Sequence, residues 1–151
     1  MTCGRMEKNM IDQITVFLEN SEGRLAALCR TMADAHVDMS ALTIADTTDY
    51  GVVRIICDDP ARALEVLNDS NYRAVATKVS AIQVPNRPGG LAELLETLDA
   101  MKLNIEYGYC FSINGETAVD VLKIRGEAQA ADAAKAIEQA GFKLLSQEDL
   151  S

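Results

Sequence analysis

The chain has 151 residues, with 14 basic and 23 acidic side chains, a formal net charge of −9 and a pI near 4.5. This acidic balance argues against partners that are polyanions, whether a nucleic-acid backbone or an anionic membrane surface. No apolar run approaches the roughly 18 residues of a membrane-spanning helix, and the first ten residues lack the apolar core of a signal peptide, so we expect a soluble, cytoplasmic protein.

The first half of the chain has the pattern strand, helix, strand, strand, helix, strand. Apolar residues alternate over residues 14–18, which predicts a strand, and they recur at helical spacing over 25–32. Strand patterns at 39–45 and 52–57 follow, and the polar residues 47–49 connect them as a hairpin. Asp59 and Pro60 begin a second helix that extends to about residue 68, since a side-chain acceptor followed by proline is typical of a helix start. Residues 72–79 then form the last strand of this half.

The second half repeats this order. We predict strands at 81–84, 105–113, 117–124 and 142–145, and helices at 91–101 and 129–140. Asn114-Gly115 is the sequence preferred for a two-residue hairpin turn between two of these strands. The pattern predicts an α+β fold of two consecutive ferredoxin-like βαββαβ units, each a four-stranded antiparallel sheet with two helices on one face. We assign residues 10–78 and 79–146 to the two domains, and 1–9 and 147–151 to short tails.

The strongest evidence for duplication is a loop that occurs twice. The segment at residues 20–25 returns 66 residues later at 86–91, each time between a predicted strand and a predicted helix. Six of the first twelve positions after each strand are identical, far more than unrelated segments share. The identical pairs are Asn20/Asn86, Gly23/Gly89, Leu25/Leu91, Ala26/Ala92, Leu28/Leu94 and Thr31/Thr97.

The repeated loop has the composition of an anion-binding site. A helix start leaves backbone N–H groups without intrahelical partners, and glycine at 23, 89 and 90 lets a ligand approach them closely. Asn20 and Asn86 offer donor and acceptor atoms for the carboxylate and ammonium groups of an amino acid. The chemistry alone favours a structural interpretation, in which asparagine caps the helix and glycine serves the turn.

Three further patterns lead to expectations about burial. In the strand at 105–113, Tyr107, Tyr109 and Phe111 are alternate residues and share one face of the sheet. We expect this face to pack against the helices, although Tyr107 or Tyr109 could instead line a ligand pocket. The opposite sheet face is expected to carry residues such as Ile44 or Val52. Covering that face needs another sheet, so we expect a homodimer.

The cysteines and the single histidine do not predict a metal site or a cofactor. Cys3, Cys29, Cys57 and Cys110 have no CxxC spacing, and none lies beside His36. Cys29 aligns with Leu95 of the second repeat and is expected to be a buried thiol that packs as a small apolar group. His36 aligns with Lys102 at the end of the first helix of each half, where a cation complements the helix dipole.

Placed in this order, the motifs resemble those of the ACT domain. The resemblance rests on Asn86-Arg87-Pro88-Gly89, on Leu91 of the helix that follows, and on Leu103-Asn104-Ile105 at the entry to the next strand. It covers about residues 11–78 and 79–146 as two copies, and residues 42–54 are similar to those of small stand-alone tandem ACT proteins.

The resemblance implies a site where two ACT units meet. The loop of one unit would contact the start of the second strand of the other, so that residues 86–91 pair with Asp38 and Met39, and residues 20–25 pair with Asn104 and Ile105. The copies differ, because Glu22 stands at the place of Pro88 and Arg24 at the place of Gly90. The implied ligand-binding residues are Asn20, Gly23, Arg24, Leu25, Asp38, Met39, Asn86, Pro88, Gly89, Gly90, Leu91, Asn104 and Ile105.

The function implied is that of a non-catalytic sensor, which binds a free amino acid and regulates an enzyme of amino-acid metabolism. Two alternatives stay open: a small hydrolase of acyl phosphates, loosely suggested by Arg87 and Asn104, and a purely structural oligomerisation module. An RNA-recognition module is disfavoured by the net charge, and by the absence of an aromatic pair in residues 52–56.

Overall fold

The computed structural model describes residues 10–19, 21–46 and 50–150. The chain forms two compact units, one of residues 12–77 with Leu150 and one of residues 78–149 with residues 10 and 11. None of the helices in the described ranges has the length and apolar composition needed to cross a bilayer. Each unit is an α+β fold of the predicted ferredoxin-like type.

The first unit contains four strands and two helices. In chain order they are β1 (Ile11–Glu19), α1 (Arg24–Asp34), β2 (Met39–Asp46), β3 (Tyr50–Cys57), α2 (Pro60–Asp69) and the first part of β4 (Arg73–Pro85). The sheet order is β2-β3-β1-β4, and β3 is antiparallel to both β1 and β2. At the start of β4 the hydroxyl groups of Thr15 and Thr77 lie 3.3 Å apart. The predicted connection at residues 47–49 lies outside the described residues.

The core of the first unit lies between its sheet and its two helices. Ile14, Val16 and Leu18 occupy alternate positions of β1 and are buried, as the period-two pattern predicts. They pack with Leu28 and Met32 of α1, and with buried residues of β3 and α2: Val53, Ile55, Ala63 and Leu67. Burial of each large aliphatic side chain contributes about 1.5–3 kcal/mol to folding, so this layer is the main stabilising element of the unit.

The second unit has the same architecture. It contains the rest of β4, α3 (Gly90–Asp99), β5 (Ile105–Asn114), β6 (Thr117–Ile124), α4 (Glu127–Gln139) and β7 (Lys143–Leu144), and a 3-10 helix at Gln147–Leu150 follows. The strand order is β7-β4-β6-β5, with β5 at the edge. Its core contains Ile82, Leu94, Leu98, Leu122 and Ile137.

Besides shifts of one to three residues at the ends of elements, the strands differ from the prediction in three respects. The two strands predicted at 72–79 and 81–84 are one continuous strand, β4. Asn114 still pairs with Thr117, so the hairpin turn is at Gly115 and Glu116, one residue later than expected. The last strand, β7, has only two residues.

The aromatic phase of β5 does not face the helices, and our expectation for it was wrong. Gly108 pairs with Leu122, which belongs to the helix-facing core, whereas Tyr109 pairs with Val121. A Cβ at Gly108 would come within 2.6 Å of Leu122 Cδ2, so the helix-facing side of β5 has no room for aromatic rings at this position. The physical reason lies in a register shift between Ile105 and Tyr107, which places these two residues on different faces of the sheet.

The two residues expected on the outer face of the first sheet lie on different faces of it. Ile44 pairs with Val53 of the core and therefore lies on the helix side, although it is 51% exposed on the edge strand β2. Val52 pairs with Phe17, which is out of phase with the residues of β1 that belong to the core. Val52 is therefore on the outer face, as predicted, and Ile44 is not.

The residues that closely follow α1 and α3 adopt equivalent conformations. His36 and Lys102 have left-handed backbones, with φ of 59° and 56°, one repeat length apart. The N–H of His36 donates to the Ala33 carbonyl, and that of Lys102 to the Asp99 carbonyl. Both side chains are exposed, and Cys29 in α1 is half-buried rather than fully buried.

Candidate ligand-binding loops

The second loop is anchored to the hairpin of its own unit. The backbone N–H of Asn86 donates to the Glu116 carbonyl at 2.9 Å, and its side-chain Nδ2 donates to the Gly115 carbonyl at 3.1 Å. Asn86 does not cap α3, because the N-cap of that helix is Gly89 and no side chain accepts from the helix N–H groups there. The asparagine therefore joins the loop to the turn between β5 and β6.

Two glycines of this loop are required for different reasons. Gly89 has a φ of 92°, a left-handed conformation that L-residues other than glycine adopt at a cost. Gly90 is buried as the first residue of α3, and a Cβ there would overlap the Pro85 carbonyl oxygen. Together they bring the backbone of the helix start close to the end of β4, with no side chain between them.

Charge at this helix start is already partly balanced. Arg87 Nη2 lies 3.0 and 3.1 Å from the two carboxylate oxygens of Glu93, and Nη1 donates to the Pro88 carbonyl. Both side chains of the pair are about half exposed, so water screens the attraction. Pro88 is exposed, and Leu91 is 43% exposed on the first turn of α3.

The first loop has the same backbone but a different side-chain arrangement. Gly23 is the N-cap of α1 with a φ of 84°, again without a side-chain cap. The guanidinium carbon of Arg24 lies 5.4 Å from the centre of the Tyr72 ring, and its Nε is buried with no hydrogen-bond partner among the described residues. Leu25 is partly buried against the core, and Asn20 lies outside the described residues. Tyr72 was not predicted, because it is 48 residues from Arg24 along the chain.

The residues before the predicted strand starts are held by the residues that directly follow β3 and β6. The N–H of Asp38 donates to Asp58 Oδ1, and the Asp38 carbonyl accepts from the Asp58 N–H, both at 3.0 Å. In the second unit the Asn104 carbonyl accepts from the Arg125 N–H at 3.0 Å. The side chains of Asp38 and Asn104 are both exposed.

The hydrophobic neighbours of these residues turn toward the cores. Met39 and Ile105 are half-buried against the core of their own unit. Within one unit the loop and the strand start lie at opposite ends of a helix. For α3 of ten residues that separation is about 15 Å. The predicted residues therefore form two clusters per unit, and a single unit does not bring the clusters together.

This separation also bears on the hydrolase alternative. Arg87 precedes α3 and is paired with Glu93, whereas Asn104 follows the end of the same helix. An arginine and an asparagine at opposite ends of one helix cannot hold one phosphoryl group within a single unit.

A groove in the first unit was not predicted from the sequence. It has a volume of about 580 Å³ and is lined by Phe17, Leu18, Glu19 and Arg73. Its residues come from the end of β1 and the start of β4, which are far apart in the sequence. Within residues 10–19, 21–46 and 50–150, no group of three or more His, Cys, Asp or Glu side chains is placed to hold a metal ion.

Comparison with known proteins identifies the family. The profile of the ACT domain pair matches residues 9–151. The chain belongs to the ACT domain family. ACT domains are regulatory modules, so membership indicates a ligand-binding regulatory role for this ACT protein.

Two solved structures are similar to this chain over most of its length. Protein BT0572 from Bacteroides thetaiotaomicron is 33% identical with a TM-score of 0.86, and the match covers 93% of this chain and 95% of that chain. The ligand-free regulatory subunit of aspartate kinase from Thermus thermophilus is 17% identical with a TM-score of 0.62, over 86% of this chain and 92% of that chain. The latter likeness shows the fold alone. No curated protein sequence matches the chain.

Proposed function

We propose that this ACT protein is a non-catalytic sensor of a free amino acid, which it binds between the loop of one ACT unit and the second-strand start of another. Occupancy of the site regulates an enzyme of amino-acid metabolism, either directly or through the oligomeric state. The observation that carries the proposal is the paired helix starts at Gly23 and Gly89, each left-handed and without a side-chain cap.

An uncapped helix start suits a carboxylate. The helix dipole contributes about 0.3–1 kcal/mol to anion binding, and up to about 2 kcal/mol where the site is partly buried. This is too little for a tight complex, so the remaining groups of the amino acid need partners. The exposed side chains of Asn104 and Asp38 are of the right chemistry, since an amide accepts from or donates to the ligand and a carboxylate binds its ammonium group.

Two units are needed to complete such a site. Because the loop and the strand start of one unit lie about 15 Å apart along a helix, a small zwitterion cannot reach both. The second unit is either the other repeat of the same chain or a repeat of a second chain. We propose a homodimer, with domains at residues 10–78 and 79–146, and retain all thirteen residues implied by the resemblance as the site.

The two loops are proposed to differ in ligand preference. Loop two has Pro88 and Gly90, and Arg87 is neutralised by Glu93. Loop one has Glu22, which is exposed, and Arg24, whose guanidinium lies over Tyr72. A carboxylate at the first loop would therefore meet one like charge and one opposite charge.

The decisive experiment is thermal unfolding of the intact protein in the presence of each of the twenty amino acids. A ligand at about 100 times its dissociation constant adds roughly 2.7 kcal/mol to stability, which raises Tm by several degrees for a chain of this size. We expect at least one amino acid to produce this shift. If none raises Tm while the protein stays a stable oligomer, the structural oligomerisation module is the better interpretation.

Asn86→Ala tests the second loop. It removes the side-chain hydrogen bond to Gly115, so it lowers Tm by itself and must be judged by the ligand-induced shift. We expect that shift to disappear. Asp59→Ala is the matched control, because it loses one side-chain hydrogen bond, to the Arg62 N–H, in a helix cap outside the proposed site.

The outcomes separate the two loops. A full shift in Asn86→Ala together with its loss in Asn20→Ala assigns the ligand to the first loop. A full shift in both variants contradicts the proposed site. Turnover of an acyl phosphate by the same samples would favour the hydrolase alternative.

A further inference from the structure

A buried carboxyl group lies beside an exposed thiol in the second unit. Asp120, in the middle of β6, is only 4% exposed. Its partner on the edge strand β5 is Cys110, which is exposed. Partners in an antiparallel pair carry their side chains on the same face, so the Cys110 thiol lies beside the Asp120 carboxyl group, and a hydrogen bond from it lowers the pKa of that carboxyl. The two groups are in the arrangement of a nucleophile and its base, which the sequence did not indicate because they are ten residues apart across a hairpin.

The environment of Asp120 is apolar. On its other side Asp120 pairs with Ile82, which is fully buried in the helix-facing core, and Leu122 follows two residues later on the same face. Asp120 Oδ2 has no hydrogen-bond partner among the described residues. Burial disfavours a charge that has so few hydrogen bonds, so the neutral form of the carboxyl group is favoured. Accordingly, burial raises the pKa of Asp120, and only the hydrogen bond from Cys110 opposes the rise.

The burial of Asp120 shifts the charge that the two groups share toward the sulfur. When the pair carries one negative charge and one proton, the charge can sit on either the carboxylate or the sulfur. Water solvates the exposed sulfur, whereas the carboxylate lies among aliphatic side chains. Transfer of the thiol proton to Asp120 therefore moves the negative charge from the buried carboxylate to the solvent-exposed sulfur.

We propose that Cys110 is a thiol reactive toward small peroxides, with Asp120 as the base that takes up the thiol proton. The thiolate sulfur attacks one peroxide oxygen, an S–O bond forms and the O–O bond breaks. The leaving hydroxide or alkoxide takes the proton from Asp120 and departs as water or alcohol. Sulfur is oxidised by two electrons to sulfenic acid, and the peroxide is reduced by the same two electrons.

The other described cysteines lack this combination. Cys57 is fully buried, and burial raises its pKa to about 11, so its thiolate is scarce. Cys29 is half-buried in α1. Among the described cysteines, Cys110 alone is both exposed and next to a carboxyl group. Cys29 serves as an internal reference for the rate of labelling.

The test measures sulfenic acid formation at each cysteine of the intact protein. Hydrogen peroxide and dimedone are added at pH 7, and the rates of labelling are read by peptide mass spectrometry. We expect Cys110 to be labelled faster than Cys29. Asp120→Asn, which keeps the side-chain volume, should slow labelling of Cys110 by about tenfold or more and leave Cys29 unchanged. Asp132→Asn, on the exposed surface of α4, should change neither rate.

Two results would overturn the proposal. One is labelling of Cys110 in Asp120→Asn at the wild-type rate or faster. The other comes from the wild-type protein alone, and it decides the matter even if the variant fails to fold. Because unfolding in urea removes the effect of Asp120 and exposes every thiol, the rate of Cys110 labelling should be higher in native protein than in urea. An equal or lower rate in native protein contradicts the role of Asp120.

Discussion

Small differences between equivalent residues separate the two loops. Gly23 and Gly89 occur in both copies with nearly the same φ, but the next position is Arg24 in one and Gly90 in the other. In the second copy a Cβ at residue 90 would overlap the Pro85 carbonyl, whereas in the first copy the equivalent residue, Arg24, has a Cβ. The backbone of the loop is therefore retained in both repeats, while the space around it is not.

Gly90→Ala should destabilise the second unit. The added methyl group meets a backbone carbonyl, which moves less easily than a flexible side chain, and we expect a loss of about 1–3 kcal/mol. Urea unfolding measures it. Gly23→Ala is the comparison, since its Cβ has open space and only the positive φ opposes it. Equal losses in the two variants would show that the Pro85 carbonyl is not the constraint.

Asp120 predicts a pH dependence with a definite sign. Its folded-state pKa lies above the model-compound value of 3.8, so the native state holds the proton more tightly than the unfolded state. The stabilising effect of the protonated group is complete below pH 3.8 and is lost as pH rises through the folded-state pKa. The stability of Asp120→Asn relative to wild type should therefore improve between pH 4 and pH 7. Urea unfolding at several pH values measures this, and the opposite trend would contradict it.

At the scale of elements, most of the architecture could be predicted from the sequence. The alternation in β1, the helical spacing of α1 and the Asp59-Pro60 start of α2 are local signals, and the structure agrees with them. The orientation of β5 could not be predicted, because a register shift reverses the phase without changing the composition. The position of Ile44 failed for a related reason: an edge strand leaves even its helix-facing residues exposed.

The candidate site was less accessible to sequence reasoning. The repeated glycines identify the loops, since their conformation is set locally. Contacts such as Arg24 over Tyr72, or Cys110 beside Asp120, join residues whose pairing depends on the register of strands or on the packing of a loop. No local pattern encodes such contacts.

The cap of α2 gives a prediction at this scale. Asp59 Oδ1 accepts from the Arg62 N–H at 3.2 Å, and Pro60 occupies the first turn. Asp59→Ala should lower the free energy of unfolding by about 1 kcal/mol, because the N–H loses its acceptor. Urea denaturation is the measurement, and Asp59→Asn should recover most of the loss. Equal stability of Asp59→Ala and wild type would mean that water replaces the cap without cost.

At the scale of the whole molecule, the proposed homodimer needs an apolar surface through which two subunits can make contact. The outer face of the first sheet carries Val52 beside Phe17, and Phe17 is 42% exposed. Val75 on β4 is 46% exposed. Exposed apolar side chains that lie close together often mark contact surfaces between subunits.

Phe17→Glu tests this surface. A charge at the centre of an apolar contact must be desolvated when the contact forms, so we expect the mass measured by light scattering to fall from dimer to monomer. Ile44→Glu, at an exposed apolar residue on the helix side of the same sheet, is the control and should keep the dimer mass. A wild-type protein that is monomeric at all concentrations would remove the basis of the prediction.

The thirteen-residue strand β4 ends one unit and begins the next, with no loop at the junction. Side chains alternate along it, so one inserted or deleted residue would turn the inward positions of one of the two units outward. Insertions or deletions at the joint between the repeats should therefore keep both cores intact only in steps of two residues.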